Sequence, residues 1–174
     1  MNPDPNLLAF EYLLAQYRRR VYEQYFLQQN DRETELLPQS GARKLTILSI
    51  EDKADEWFIT RWALLQQFPG AELVWLADPA QVIPHLEACR QREEDLPSLI
   101  LLDLYLPTST VGLTVLQGLK SHPLFHRIPT IVLSRSNHYE DIADVYSHFA
   151  NSYIVKPTDY HEWVKGLSRL HRYC

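Results

Sequence analysis

The stretch Leu99-Ile100-Leu101-Leu102-Asp103-Leu104-Tyr105-Leu106-Pro107 decides the fold. It opens on four apolar residues without polar alternation, the pattern of a strand buried on both faces of a parallel sheet. Asp103 stands where that strand runs out into a loop. In an open α/β sheet the carboxyl edge of the strands is where loops converge and ligands bind. A lone carboxylate against apolar walls is costly unless something pairs with it.

On either side of this stretch, short apolar runs alternate with helical segments. Leu45 to Ile50 reads as a strand, Asp55 to Phe68 as a helix ended by Pro69-Gly70, and Glu72 to Ala77 as a strand. Pro79 to Arg92 reads as a helix with proline at its start, and a further helix surrounds Leu113 to Lys120. Thr130 to Ser134 is a short apolar strand, Asp141 to Phe149 a helix, Tyr153 to Val155 a strand, and Asp159 to Arg172 the last helix. Strands alternating with helices imply βαβ units with right-handed crossovers, and hence a doubly wound parallel sheet with helices on both faces. The domain is expected over 44–174.

The first forty residues differ. Leu7, Phe10, Leu14, Tyr17 and Val21 recur at three- and four-residue steps, an amphipathic helix running to about Gln28. Asn30-Asp31 and Pro38-Gln39-Ser40-Gly41 end it and form a linker, so 1–40 is expected as a helical extension. Its apolar stripe needs a cover. The stripe could dock on its own domain, engage a kinase or pair with a second copy; self-association is the favoured reading.

Composition narrows the class. The 174 residues carry a net charge of −5 with acids and bases interspersed, which gives no basic footprint for nucleic acid. Two cysteines, Cys89 and Cys174, are too few for a disulfide framework and suit a reducing cytosol. No apolar stretch approaches the roughly twenty residues of a bilayer span, and Met1 to Asn6 has no signal-peptide character. A cytoplasmic protein with no membrane partner is expected.

In such a sheet, residues at strand ends meet at one edge. The first strand ends in Glu51-Asp52, the third at Asp103, the fourth at Ser134 and the fifth at Lys156-Pro157. Acids brought that close repel one another, and raised pKa values or a divalent cation relieve them. An all-oxygen site suits Mg2+ better than zinc, which favours histidine or cysteine. Lys156 supplies a point charge and Ser134 a hydroxyl, both suited to phosphoryl oxygens. His122 and His126 have ligand-like spacing but lack a third ligand, and a solvated loop is the expectation for them.

The combination resembles the receiver domain of two-component response regulators over about Lys44 to Cys174. Ile50-Glu51-Asp52-Lys53-Ala54-Asp55 is similar to the family's acidic pair after strand one, and Leu101-Leu102-Asp103-Leu104-Tyr105-Leu106-Pro107 to its phosphoacceptor strand. Ile131-Val132-Leu133-Ser134 is similar to the switch-hydroxyl strand, and Tyr153-Ile154-Val155-Lys156-Pro157 to the lysine strand with its aromatic. The resemblance implies a flavodoxin-like sheet in the order 2-1-3-4-5. It implies that Asp103 accepts a phosphoryl group from a sensor histidine kinase, a hybrid kinase, a phosphotransfer protein or a small acyl phosphate.

By the same resemblance Asp52 and Asp103 would ligate Mg2+ with the backbone carbonyl of Tyr105, and Glu51 would hold a metal-bound water. Lys156 would neutralise the transferring group, Ser134 would swing towards the phosphate, and Tyr153 would rotate into the vacated space. The face made by the fourth helix, fifth strand and fifth helix would carry the output and could pair two copies. No enzyme activity is implied beyond the chain's own phosphorylation and dephosphorylation.

The chain departs from the family pattern in three places. Arg135 follows the switch hydroxyl where the family has a small residue; it could guard the pocket or pair with the acid cluster. The loop Pro107-Thr108-Ser109-Thr110-Val111-Gly112 is one residue longer than usual and lacks the acid before its glycine. The chain stops at Cys174, just past the last helix, so a stand-alone receiver similar to those associated with phytochromes is expected. The altered loop and Arg135 support the alternative, a pseudo-receiver that binds partners without phosphorylation. A phosphatase on a similar fold would need a second acid two residues after the nucleophile, where Tyr105 stands.

Overall fold

The structure, a computed structural model, describes residues 44–92 and 94–174. The strands β1 (Thr46–Ile50), β2 (Glu72–Leu76), β3 (Leu99–Asp103), β4 (Thr130–Ser134) and β5 (Ser152–Val155) form one sheet in the order β2-β1-β3-β4-β5. Every pairing is parallel. β3 is central and all of its residues are buried, whereas the edge strands β2 and β5 are mostly half-exposed. An unbroken apolar run thus occupies the strand that has neighbours on both sides and helices on both faces.

Alternate strand residues serve opposite faces. Leu48, Ile50, Ile100, Leu102 and Val132 pack with residues of α2 (Val82–Gln91), α3 (Ser109–Ser121) and α4 (Tyr139–Ser147). Ile47, Leu99, Leu101, Ile131, Leu133 and Ile154 pack with α1 (Ala54–Gln67) and α5 (Tyr160–Leu167). This is the doubly wound, flavodoxin-like arrangement implied by the sequence. The amphipathic helix and linker expected over 1–40 lie outside the described residues. Among the described residues, no helix is long and apolar enough to cross a membrane.

Several boundaries differ from the sequence reading, each for a local reason. The stretch from Thr108 to Gly112, read as loop, is largely the first turn of α3. Thr108 Oγ1 caps it by accepting from the backbone N–H of Val111 at 3.4 Å. Gly112 makes that turn possible, because a Cβ there would lie 2.0 Å from the carbonyl oxygen of Leu104. The last helix breaks at Leu167 and continues as a 3₁₀ segment, Ser168–Arg172; Asp159 caps its start by accepting from the N–H groups of His161 and Glu162. α4 stops two residues before Phe149, which takes a left-handed φ of 62° and closes the helix end. A 3₁₀ turn, Pro79–Gln81, precedes α2, with Asp78 accepting from the N–H of Ala80.

His122 departs from the expected solvated loop, whereas His126 is exposed. His122 Nδ1 accepts from the N–H groups of Leu124 and Phe125, its ring stacks on Phe125 at 3.8 Å, and its Nε2 faces Glu87 at 3.1 Å. His122 thus ties together the chain between α3 and β4, and His126 Nδ1 lies 2.9 Å from the carbonyl oxygen of His122.

Candidate functional site

Backbone hydrogen bonds that continue past the strand ends fix the site's floor. The N–H of Lys156 donates to the Ser134 carbonyl at 2.6 Å, that of Leu104 to Leu133 at 2.9 Å, and that of Glu51 to Leu76 at 3.1 Å. Glu51, Asp103 and Lys156 share the alternation of Ile47, Leu101 and Ile154, which puts them on the α1 side of the sheet edge.

There the Lys156 ammonium meets three carboxylates. Its Nζ lies 2.7 Å from Glu51 Oε2, 3.0 Å from Asp103 Oδ1 and 2.6 Å from Glu56 Oε2. All four residues are buried. Glu56 was not among the expected site residues. It heads the inward stripe of α1, followed by Thr60, Ala63 and Leu64 at helical spacing, and that stripe is the signal that could have found it.

Charge balance explains the electrostatics. Three acids against one ammonium leave an excess of negative charge in a poorly solvated place. Burial pushes the Glu51 carboxyl up to about 7; Lys156 opposes this, while Asp103 and Glu56 add to it. For Glu56, burial also acts upward, but the hydrogen bond and charge of Lys156, with Arg135 and Lys53, hold it below its ordinary value. Burial acts to lower the Lys156 amine, yet Asp103, Glu51 and Glu56 together keep it above its usual range. Of the two glutamates, Glu51 is therefore the more ready to take up a proton when no second cation is near.

The donor set fits a hard divalent cation. Oxygens of Glu51, Glu56 and Asp103 all lie within 4.8 Å of one another. Asp52, the next residue along, is half-buried, and its Oδ1 has no hydrogen-bond partner despite being shielded from solvent. A buried carboxylate oxygen without a donor costs free energy that a cation would recover. Glu51 also accepts from the N–H of Lys53 at 3.1 Å, and its carbonyl from Trp75 Nε1 at 2.7 Å. Trp75 in turn stacks on Trp57, so two indoles sit beside the acid cluster.

The remaining expected residues surround the cluster. Ser134 is fully buried, and its Oγ accepts from the N–H of Ser136 at 3.1 Å. Tyr153 is half-buried and its hydroxyl donates to the Ser136 carbonyl at 2.9 Å, so both expected switch residues engage one loop position. Burial holds the Tyr153 phenol above its ordinary pKa. The Tyr105 hydroxyl donates to Asp141 Oδ2 at 2.9 Å, which ties the chain after Asp103 to α4. Arg135 pairs with the acid cluster, its Nη2 lying 3.0 Å from Glu56 Oε1.

Residues 47–168 match the family model described as the response regulator receiver domain. The chain is 31% identical over 133 residues to the response regulator Rcp1 of Synechocystis sp., covering 74% of this chain and 89% of Rcp1. It is 30% identical over 128 residues to the probable methanogenesis regulatory protein FilR2 of Methanothrix harundinacea, covering 73% and 81%. The crystal structure of a phosphorylated cyanobacterial phytochrome response regulator, RcpA, superposes with a TM-score of 0.64 at 29% identity, over 75% of this chain and 93% of that one. The Mn2+-bound form of Rcp1 superposes with a TM-score of 0.63 at 28% identity, over 73% and 91%.

Proposed function

This chain belongs to the response regulator receiver family, and we propose that it is a single-domain signalling switch that accepts a phosphoryl group on Asp103. The observation that carries this reading is the placement of Asp103 Oδ1 3.0 Å from Lys156 Nζ inside a buried acid cluster. A carboxylate oxygen attacks phosphorus, the bond to the donor's leaving group breaks, and the leaving group departs with its electron pair. Lys156 neutralises charge on the phosphoryl oxygens, and positioning and electrostatics supply most of the rate.

Asp52, Asp103 and the carbonyl of Tyr105 would hold Mg2+, with Glu51 fixing one of its waters. The orphan oxygen of Asp52 supports its place in this set, and the crowding of Asp103 with Glu51 and Glu56 supports a need for positive charge beside it. When bound, the ion supplies positive charge to the phosphoryl oxygens. Ser134 carries a hydroxyl proton to donate to one of them, and giving up its contact with the Ser136 N–H would loosen the loop that also holds Tyr153. The face of α4, β5 and α5 would read that change. Tyr139, Tyr146, Phe149 and Val155 stand exposed on α4, the turn after it and β5, as a protein-binding face requires.

The donor would be a phosphohistidine on a sensor histidine kinase, a hybrid kinase or a phosphotransfer protein; RcpA, of similar structure, is named as a phytochrome response regulator. The chain would turn over nothing except its own phosphoryl group. Incubation with acetyl phosphate and Mg2+, followed by intact mass, tests the reading. A gain of one phosphoryl in the wild type and none in Asp103→Asn supports it; equal gains, or none in either, contradict it. The pairing of Arg135 with Glu56 keeps the pseudo-receiver as the second reading, and a Trp57 fluorescence signal indifferent to Mg2+ would favour it.

A further inference from the structure

Arg135 leaves the end of β4 and reaches Glu56 on the first turn of α1. These two elements flank the sheet edge at which Asp103 and Lys156 lie. The Arg135 side chain is 77% exposed, while that of Glu56 is 8% exposed. The two oxygens of Glu56 face different cations. Oε1 holds Arg135 at 3.0 Å, Oε2 holds Lys156 at 2.6 Å, and Lys156 reaches Asp103 Oδ1 at 3.0 Å. A chain of ion pairs thus runs from a solvent-exposed guanidinium to the buried acceptor. None of the chemistry described above uses Arg135.

We propose that Arg135 is a strap over the Asp103 pocket, pinned by Glu56, that slows entry of both the phosphodonor and the water that hydrolyses the acyl phosphate. The proposal rests on Asp103 being the acceptor. In loading, a carboxylate oxygen of Asp103 bonds to phosphorus while acetate leaves with the electrons of its own P–O bond. In loss, a water oxygen bonds to phosphorus, the P–O bond to Asp103 breaks and returns its pair to the carboxylate, and the water's proton passes to solvent. Each step needs an approach to phosphorus from outside, and the strap stands across the mouth in both. An ion pair with one partner largely in water opens readily, so the strap limits rates without abolishing them.

A direct role for Arg135 as a ligand of the phosphoryl group gives a different signature, because losing such a ligand slows loading while speeding loss. Loading from acetyl phosphate with Mg2+ and loss after donor removal are followed by intact mass for the wild type, Arg135→Ala, Glu56→Gln, the double variant and Asp103→Asn. Removing the strap from the wild type is expected to speed both loading and loss about threefold or more. In the Glu56→Gln background, where the guanidinium has lost its anchor, the same change is expected to alter either rate by less than about 1.5-fold. Slower or unchanged loading in Arg135→Ala overturns the strap, and so does an effect that persists without Glu56. If neither the wild type nor Arg135→Ala acquires a phosphoryl group, or if Asp103→Asn loads like the wild type, the acceptor assignment itself fails, and the strap with it.

Discussion

The Nζ of Lys156 lies closer to Glu56 Oε2, at 2.6 Å, than to Asp103 Oδ1, at 3.0 Å. The lysine that would serve the phosphoryl group is therefore shared with an acid on α1. Replacing it removes the one cation buried among Glu51, Glu56 and Asp103. Lys156→Met is expected to destabilise the metal-free fold by about 3 kcal/mol at pH 8, since breaking a buried pair strands its partners. The loss should shrink at pH 5, where the acids can take up protons. Urea unfolding at the two pH values checks this; a cost that does not depend on pH argues against the shared-lysine account.

Glu51 gives a second pH signature. Its carboxyl is pushed from 4.5 up to about 7 in the folded state, first by burial. A raised folded pKa means that the native state holds the proton more tightly. The stability Glu51 contributes is complete below about pH 4.5 and is lost as pH rises through 7. Glu56 is lowered, so its contribution is present above the ordinary carboxylate range and is lost as pH falls below it. In EDTA, the Tm of the wild type should fall between pH 5 and 8 relative to Glu51→Gln. Parallel curves would show that Glu51 is already ionised throughout.

Much of this site was legible because strand ends are easy to read. The uninterrupted run Leu99 to Leu102 placed Asp103 at the edge of a central strand, and the parity of parallel neighbours brought Glu51 and Lys156 to the same side. The order β2-β1-β3-β4-β5 followed from the family resemblance together with alternating elements. Glu56 was missed because a charged residue at a helix start reads as a solvated cap; only its phase with Thr60, Ala63 and Leu64 betrays that it points inward. The first turn of α3 was missed because Thr108, Ser109 and Thr110 read as loop, and the close approach of Gly112 to Leu104 is a tertiary constraint with no local signature. Arg135 stood out as unusual, but which acid it would choose depends on how α1 sits over the sheet.

Gly112 and Gly118 lie on the same helix and should respond in opposite directions. A Cβ at Gly112 would sit 2.0 Å from the Leu104 carbonyl, a backbone atom of the chain just after Asp103. Gly112→Ala is expected to cost about 2 kcal/mol by overpacking and to lower phosphoryl acceptance by displacing that loop. At Gly118 nothing lies within 4 Å, and Gly118→Ala should stabilise by about 0.5–1 kcal/mol through helix propensity. Denaturant midpoints of the two variants decide it, and similar shifts would contradict the packing described.

Phe149 holds a left-handed conformation, φ 62°, and the residue is 79% exposed. Its N–H donates to Tyr146 and that of Ala150 to Val145, the bonds that close the end of α4. An exposed ring there recovers little of the cost of that backbone. Phe149→Gly should raise stability by about 1 kcal/mol, read as an upward shift in Tm. The same variant should weaken any partner that binds the α4 and β5 face, because it removes an exposed aromatic. A fall in Tm would mean that the contacts of the ring outweigh the strain of its backbone.

Asp103, and none of its acidic neighbours, is expected to take the phosphoryl group. Borohydride reduces an acyl phosphate to the alcohol and so converts a phosphorylated aspartate to homoserine. After loading with acetyl phosphate and Mg2+ and reduction, tandem mass spectrometry of the Leu99 to Lys120 region should find homoserine at position 103 and nowhere else in the chain. Conversion at 51, 52 or 56, or none in a sample whose intact mass shows a bound phosphoryl group, would contradict it.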